Sequence, residues 1–269
     1  MNKKSICGLN SNEIYASIAS SGFTVSNAIS IANGIYKKGK RNISQIEKIP
    51  KDLKNKLDSE SCSGILDPVF ESVSKDGTIK YLFKTESGLA FETVFIPDNK
   101  RGTVCVSTQS GCKMGCPFCA TAGYGFRGNL TAGEIVNQII SIPFAQNVSH
   151  VVFMGMGEPM DNLDNVLKAC EIITAEWGLS ISPRNVTVST VGITEGIKKY
   201  LNESECNLTL SLFSPFSEER QNIIFAEKHN PAMEIIQLMK NFPVRKQRRL
   251  SIAYVMIKEL NDSDRHLKD

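Results

Sequence analysis

The chain has 269 residues, of which 41% are hydrophobic and 22% are charged, and its formal net charge is +3. This composition is ordinary for a globular protein, and the net charge does not by itself indicate a nucleic-acid binder. No apolar run approaches the roughly 18 residues that a membrane-spanning helix needs, and no apolar segment follows the first lysines. We therefore expect a cytoplasmic protein without a membrane segment, whose eight cysteines are reduced thiols.

The first ninety or so residues combine helical and strand-like patterns. Apolar residues recur at helical spacing over Glu13–Gly39, and Ile46–Leu57 has the pattern of another short helix. Apolar and polar residues alternate over Val69–Phe95, where Gly77 and Gly88 are turn signals. The sequence thus predicts an N-terminal region of helices and a small antiparallel sheet.

Strands alternate with helices after the turn-forming segment Pro97–Asn99. We therefore divide the chain into an accessory region, residues 1–97, and a core domain, residues 98–269. The predicted strands are Gly102–Ser107, His150–Met154, Asn185–Thr190, Asn207–Leu212 and Leu250–Ile257. The predicted helices are Ala132–Ile142, Leu163–Trp177, Thr194–Leu201 and Ala232–Phe242. This alternation indicates an α/β fold with a parallel sheet or barrel.

The most informative segment is a cysteine cluster in the loop after the first strand of the core. Cys112, Cys116 and Cys119 follow a C-x3-C-x2-C spacing. Three thiolates on a short loop can each bind one iron of a [4Fe–4S] cluster. The fourth iron is then open, and the amino and carboxylate groups of S-adenosylmethionine can bind to it. An electron from the cluster can then break the carbon–sulfur bond of that cofactor.

Two other interpretations of the cluster are open on spacing alone. A structural zinc site usually has four ligands, and Cys105 lies seven residues before Cys112, where it could supply the fourth. Free cysteines are also commonly buried in protein cores. Three cysteines within eight residues of a glycine-containing loop make the second interpretation weak.

The residues around the cysteines resemble the RlmN/Cfr family of radical S-adenosylmethionine RNA (adenine) methyltransferases. The resemblance covers nearly the whole chain, and it is carried by Ile35–Gly39, Glu92–Pro97, Val104–Cys112, Phe118–Phe126 and Asn129–Gln138. It implies a (βα)6-type barrel of the kind found in radical S-adenosylmethionine enzymes. Because only five core strands are predicted, we expect a partial barrel that lacks its last strand and a chain truncated at its C-terminus.

The family's cofactor-binding residues map onto the ends of three predicted strands. The resemblance places Gly157 and Glu158, in the segment Phe153–Pro159, on S-adenosylmethionine. It does the same for Ser189 and for the tripeptide Ser211–Phe213, which includes Leu212. Most relatives have a histidine where Phe213 stands, so this chain lacks any role that an imidazole would have there. On residue type alone, the serines are also compatible with simple helix caps.

The resemblance also implies a mechanism that uses two S-adenosylmethionine molecules per turnover. One molecule methylates a cysteine of the protein, and the second generates the radical that activates this methyl group for addition to adenine. Cys105 matches the cysteine that releases the product, which leaves a disulfide, and Glu92 matches the proton acceptor. No match exists for the methyl-carrying cysteine, since neither Cys170 nor Cys206 has the right neighbours. We therefore expect the 269 residues to bind a cluster without completing methyl transfer.

The implied partners are RNA molecules and an electron donor. Gly155–Asn162 resembles the branch that methylates adenine C2, in the peptidyl-transferase centre of 23S rRNA and beside the anticodon of tRNA. Segment 37–56 has eight Lys or Arg against two acidic residues, and 245–249 is a second basic run; both fit phosphate contact. A flavodoxin-type donor and a monomer are further expectations. The alternatives are a C8 methyltransferase conferring antibiotic resistance, a non-catalytic zinc-stabilised RNA-binding module, and a radical enzyme acting on something other than RNA.

Overall fold

The computed structural model describes residues 3–98, 101–244 and 247–269. The helices of these residues are α1 (Ser11–Ala19), α2 (Val25–Tyr36), α3 (Lys51–Glu60), α4 (Ala132–Ile140), α5 (Leu163–Thr174), α6 (Thr194–Glu203), α7 (Ser217–Ile223), α8 (Ala232–Asn241) and α9 (Asp264–Lys268). The strands are β1 (Lys4–Ser5), β2 (Ser61–Cys62), β3 (Phe70–Val73), β4 (Ile79–Lys84), β5 (Ala90–Asp98), β6 (Arg101–Cys105), β7 (Gln109–Ser110), β8 (Gly128–Asn129), β9 (Val148–Phe153), β10 (Val186–Thr190), β11 (Asn207–Ser211) and β12 (Leu250–Ala253).

One sheet of eight strands, in the order β12-β11-β10-β9-β6-β5-β4-β3, organises the described residues. Five of its strands are parallel, as the strand–helix alternation predicts: β6, β9, β10, β11 and β12. The other three, β3, β4 and β5, are antiparallel. The two parts are joined because β5 pairs with β6, with Pro97 opposite Gly102. The antiparallel strands predicted for the N-terminal region therefore extend the core sheet. The predicted turn at Pro97–Asn99 lies partly outside the described residues, and its Pro97 and Asp98 belong to β5.

The N-terminal helices differ from the sequence pattern in their boundaries. The helical spacing over Glu13–Gly39 corresponds to two helices, α1 and α2, and not to one. They are separated at Gly22, where φ is +79°. This conformation is accessible to glycine and ends the helical path. The helix predicted at Ile46 begins only at Lys51, because Pro50 has no N–H for a helical bond and suits a helix start.

The sheet has one face under helices and one open concave face. Side chains such as Val104, Val151 and Val188 are fully buried and share a hydrophobic core with the helices. Their strand neighbours point to the other face, since side chains alternate along a strand. On that face the parallel strands carry mainly small and polar residues: Thr103, Cys105, Thr187, Ser189, Thr209, Ser211 and Ser251. Among the described residues, no helix is long and apolar enough to cross a membrane.

Candidate cofactor site

The cysteine loop leaves the carboxyl end of the sheet and is closed by a short antiparallel pair. β7 pairs with β8, and the N–H of Arg127 donates to the carbonyl oxygen of Ser110 at 2.8 Å. Gly111 has φ +80°, and a Cβ added to it would lie 1.6 Å from the carbonyl oxygen of Gly125. Only glycine therefore fits where the two ends of the loop cross.

One cavity brings the predicted cluster ligands and the predicted cofactor residues together. Its lining residues are Cys112, Met114, Cys116, Phe118, Cys119, Thr121, Gly155, Gly157, Glu158, Val191, Ser211, Phe213, Ile224, Ala253 and Val255. They come mainly from the cysteine loop and from the carboxyl ends of β9, β10, β11 and β12. In parallel α/β folds, ligands bind at this end of the strands. Leu212 and Ser189 do not line the cavity directly.

The donor set of this cavity fits an iron–sulfur cluster. Burial raises the pKa of Cys112, and burial followed by the charges of Cys112 and Cys119 raises the pKa of Cys116 to about 11. Three thiols that repel one another as thiolates favour a cationic occupant, which binds them deprotonated. Within residues 3–98, 101–244 and 247–269, no three Cys, His, Asp or Glu side chains are arranged as ligands of a single metal ion. The arrangement is compatible with thiolates that each bind a different iron of a cube.

Glu158 joins the cysteine loop to two strand ends. Its buried carboxylate accepts hydrogen bonds from the Thr190 hydroxyl at 2.5 Å and from the N–H groups of Val191 at 2.9 Å and Met160 at 3.0 Å. Its own N–H donates to the side-chain oxygen of Gln109 at 2.9 Å. Burial raises the pKa of Glu158, and these hydrogen bonds oppose the shift. The observed role of the side chain is therefore to brace the cavity wall, and its contact with the cofactor stays a prediction.

Gly157 provides close backbone approach beside Glu158. Its φ is +100°, and an added Cβ would lie 2.6 Å from the Cβ of Gln109 and 2.7 Å from its backbone nitrogen. Only glycine can therefore hold this turn against the loop. Gly155 and Gly157 line the same cavity as the three cluster cysteines.

The remaining predicted residues lie at the ends of β10 and β11. The hydroxyl oxygens of Ser189 and Ser211 are 3.2 Å apart, so the two predicted serines form a pair. Phe213 is buried, has φ +69° and stacks on Phe118 with ring centroids 5.5 Å apart. The aromatic residue thus closes the cavity by packing on the cysteine loop, where an imidazole would add a polar group.

Sequence reasoning missed Arg220, which holds both strand ends in place. This arginine on α7 is fully buried. Its guanidinium donates to the carbonyl oxygens of Leu212 at 2.8 Å, Ser211 at 3.1 Å and Val191, and it forms an ion pair with buried Glu227. The only sequence signal is an Arg seven residues before a Glu, which has no specific meaning without the fold.

The two predicted catalytic residues share the concave face of the sheet. Cys105 is the last residue of β6 and lies opposite Val94 of β5, and Glu92 is two residues before Val94. Residues two apart on a strand point to the same side, so both side chains lie on the open face of the sheet. Glu92 forms an ion pair with Lys80 at 3.0 Å and lines a second cavity with Tyr124, Arg127 and other residues. Their catalytic roles stay predictions.

The other cysteines lie away from the cofactor cavity. Cys170 on α5 and Cys206 before β11 are buried in the hydrophobic core. Cys7 and Cys62 belong to the N-terminal segment around β1 and β2. None of these four lines the cavity of the cluster cysteines, and that neither Cys170 nor Cys206 carries the methyl group stays a prediction.

Comparison with known proteins decides the family. The Radical SAM superfamily model matches residues 106–269. A curated protein of Parabacteroides distasonis, described as a probable dual-specificity RNA methyltransferase RlmN, is 43% identical over 266 residues, which cover 99% of this chain and 78% of that protein. The chain belongs to the RlmN family of radical SAM enzymes.

More distant relatives agree with this assignment. A protein of Thermus thermophilus with the same description is 41% identical over 238 residues, covering 86% of this chain and 67% of that protein. The crystal structure of a radical SAM methyltransferase from Sphaerobacter thermophilus matches with a TM-score of 0.89 and 32% identity, covering 98% of this chain and 80% of that one. The radical SAM fold, the [4Fe–4S] cluster and S-adenosylmethionine as cofactor are therefore features of this RlmN-type enzyme.

Proposed function

We propose that this RlmN-type enzyme methylates C2 of an adenine in RNA, namely in the peptidyl-transferase centre of 23S rRNA and beside the anticodon of tRNA. The observation that carries the proposal is the single cavity that joins Cys112, Cys116 and Cys119 to Gly157 and Ser211. The relatives named above are described as dual-specificity RNA methyltransferases, which supports an RNA substrate.

The chemistry of the target explains why such a cavity is needed. C2 of adenine is an electron-poor ring carbon, so it does not attack a methyl donor as a nucleophile. When bound, the cluster and S-adenosylmethionine supply a radical that can activate a methyl group for addition to that carbon. The protein's contribution is to hold three thiolates on one loop and to present the ends of three strands to the cofactor.

Glu92 and Cys105 would act on the RNA side of the site. The cavity that contains Glu92 also contains Gly111 and Met156, which are sequence neighbours of the cofactor-cavity residues Cys112, Gly155 and Gly157. A base bound there would lie beside the cofactor, with a carboxylate available to remove the ring proton. Tyr124 is 63% exposed at this position, and aromatic rings stack on unpaired bases. We propose Glu92 as proton acceptor and Cys105 as the thiol that releases the product.

The N-terminal region is our candidate for contact with the RNA backbone. Lys37, Lys48 and Lys51 are exposed in segment 37–56, and other basic residues there form surface ion pairs such as Arg41 with Asp67. Surface pairs of this kind are weak, so the side chains remain able to contact phosphates. Of the second basic run, 245–249, positions 245 and 246 lie outside the described residues.

The remaining proposals concern the organisation and partners of the protein. We propose that residues 1–97 form the accessory RNA-binding region and that residues 98–269 form the radical SAM core. The family model matches residues 106–269, which lie within the proposed core. We also propose that the protein is a cytoplasmic monomer and that a flavodoxin-type protein donates the electron.

The first test measures cofactor cleavage and RNA modification in one reaction. Protein reconstituted anaerobically with iron and sulfide is incubated with S-adenosylmethionine, a reductant and unmodified tRNA or 23S rRNA. We expect about four irons per chain and formation of 5′-deoxyadenosine. Both should be lost in Cys116→Ser and retained in the control Cys170→Ser, because Cys116 lines the cavity and Cys170 does not. A wild-type protein with neither iron nor cleavage would contradict the proposal.

Mass spectrometry of the digested RNA then identifies the product. 2-Methyladenine would support the proposed function and would show that these residues include a methyl-carrying thiol, against our expectation. 8-Methyladenine would instead favour the alternative C8 activity. Cleavage of S-adenosylmethionine without methylated adenine would show that these 269 residues do not complete methyl transfer, as expected from the missing match for the methyl-carrying cysteine, and would contradict the proposed methylation for this chain.

A further inference from the structure

A further cavity opens on the same face of the sheet, toward the amino ends of the parallel strands. It has a volume of about 1010 Å³. Its lining residues are Arg101, Thr103, His150, Val152, Arg184, Asn185, Thr187, Asn207, Thr209, Gln247, Arg248, Arg249 and Ser251. Most of these residues lie in the first half or the middle of β6, β9, β10, β11 and β12 or just before these strands, and Val152 lies near the end of β9. We call this the basal cavity. Thr209 of the basal cavity and Ser211 of the cofactor cavity are two residues apart on β11, which is about 7 Å along a strand.

The charge of the basal cavity is strongly one-sided. Four arginines line it, and no Asp or Glu stands among its described lining residues. Acidic groups near it belong to neighbouring positions: Asp98 lies opposite Arg101 in the β5–β6 pair, and the charge of Glu205 acts on Arg248. Clefts lined by one sign of charge concentrate ions of the other sign.

Arg248 is the deepest of these arginines and has an unused donor. It is 9% exposed. Its Nε donates to the carbonyl oxygen of Cys206 and its Nη1 to that of Leu201, both at 2.8 Å. Its Nη2 is buried and has no hydrogen-bond partner among the described residues. The guanidinium also packs over the rings of Tyr200 and Phe242, with Cζ 5.5 Å and 5.7 Å from the ring centroids. Nη2 is therefore shielded from the cavity, and Arg248 contributes to it mainly through its positive charge.

Hydroxyl and amide groups complete the basal cavity. Thr103, Thr187, Thr209 and Ser251 present hydroxyls on the concave face, and the Thr209 and Ser251 hydroxyls are 2.9 Å apart. Arg184 and Arg249 are exposed at the mouth of the cavity. There the Nη1 of Arg184 donates to the side-chain oxygen of Gln247 at 3.1 Å. Arginine forks with surrounding hydroxyl donors match the geometry of phosphate oxygens.

We propose that the basal cavity is an anion site that binds phosphate groups, carried either by the backbone of an RNA or by a free nucleotide. Arg184 and Arg249 would bind the phosphate oxygens at the mouth, and the charge of buried Arg248 would add to the attraction. This site goes beyond the proposed adenine methylation, because it shares no lining residue with the cofactor cavity.

The test uses tripolyphosphate and a fluorescently labelled single-stranded RNA as probes. Arg184→Glu/Arg249→Glu is compared with the control Lys228→Glu/Lys240→Glu, which makes the same change in net charge at exposed lysines outside the cavity. We expect tripolyphosphate binding in calorimetry with wild type, about tenfold weaker binding in the arginine variant, and a change of less than about twofold in the control. If circular dichroism shows the arginine variant unfolded, Arg249→Gln replaces it.

The RNA probe then distinguishes the two sources of phosphate. A similar loss of RNA affinity, with a salt slope lowered by about 0.7 per lost contact, would identify the RNA backbone. Unchanged RNA affinity with lost tripolyphosphate binding would identify a free phosphate ligand. Wild type that does not bind tripolyphosphate, or an equal loss in the lysine control, would overturn the proposal. Because cleavage of S-adenosylmethionine is measured separately in the same variants, failure of the proposed function is distinguishable from failure of this site.

Discussion

Replacement of Arg220 by methionine should be among the most damaging single changes near the cofactor cavity. The guanidinium is fully buried and satisfies Glu227 and three strand-end carbonyls, those of Val191, Ser211 and Leu212. Methionine has a similar length but no donor. Removing one partner of a buried ion pair typically costs about 3–5 kcal/mol, because the other charge stays buried without compensation.

The double variant Arg220→Met/Glu227→Gln separates charge from packing. The wild-type Glu227 carboxylate accepts from the Ser217 hydroxyl at 2.7 Å and from the N–H of Ala232 at 2.9 Å. The glutamine introduced at this position keeps one acceptor oxygen for such a bond, and the unpaired charge is gone. We therefore expect the double variant to recover about 1–2 kcal/mol of the loss.

The assay is urea unfolding followed by circular dichroism, with Arg184→Met as a control at an exposed arginine. Binding of S-adenosylmethionine by reconstituted protein is measured alongside, and Arg220→Met that is still folded should bind it at least about tenfold more weakly, which corresponds to about 1.4 kcal/mol. A destabilisation below about 1 kcal/mol, or unchanged cofactor affinity, would refute the idea that Arg220 positions the strand ends.

Three further predictions concern the cofactor site and the segments packed near it. Gly157→Ala places a Cβ against Gln109 at φ +100°, so it should cost about 1–3 kcal/mol in urea unfolding and weaken S-adenosylmethionine binding; equal affinity would contradict it. The hydrogen bond from His266 lowers the pKa of Glu219 in the folded protein. The ionised Glu219 therefore stabilises the fold above the pKa that it has in the unfolded chain, and this contribution is lost as the pH falls through its folded pKa. The stability difference between wild type and Glu219→Gln should therefore shrink below about pH 4.5, and a pH-independent difference would contradict this. Phe118→Ala removes a ring stack and should lower stability by about 1 kcal/mol, measured by thermal unfolding; no change would show that the stack is not stabilising.

Local sequence determined the elements whose signals are short-range. The capping box of Thr131 and Glu134 sets the start of α4, where the Glu134 N–H donates to the Thr131 hydroxyl. Strand–helix alternation predicted four of the five parallel strands to within two residues at each end, whereas the fifth, β12, ends at Ala253 and not at the predicted Ile257. Periodicity over Glu13–Gly39 was less informative, because helical spacing can continue in register across a break such as the one at Gly22.

The chemistry of the site was also readable from sequence because it depends on cysteines packed into eight residues of one loop. Their spacing in one loop favours a shared metal centre, and the resemblance of the surrounding residues to a radical S-adenosylmethionine family favours the [4Fe–4S] cluster over zinc. Only the tertiary structure decided that Glu158 braces two strands, that Arg220 holds their ends, and that the arginines of the basal cavity converge. Those groups are up to about 150 residues apart in the chain, as for Arg101 and Arg249, and sheet order brings them together. The amino-acid sequence determines which groups are available, whereas long-range strand pairing and its register determine which of them meet.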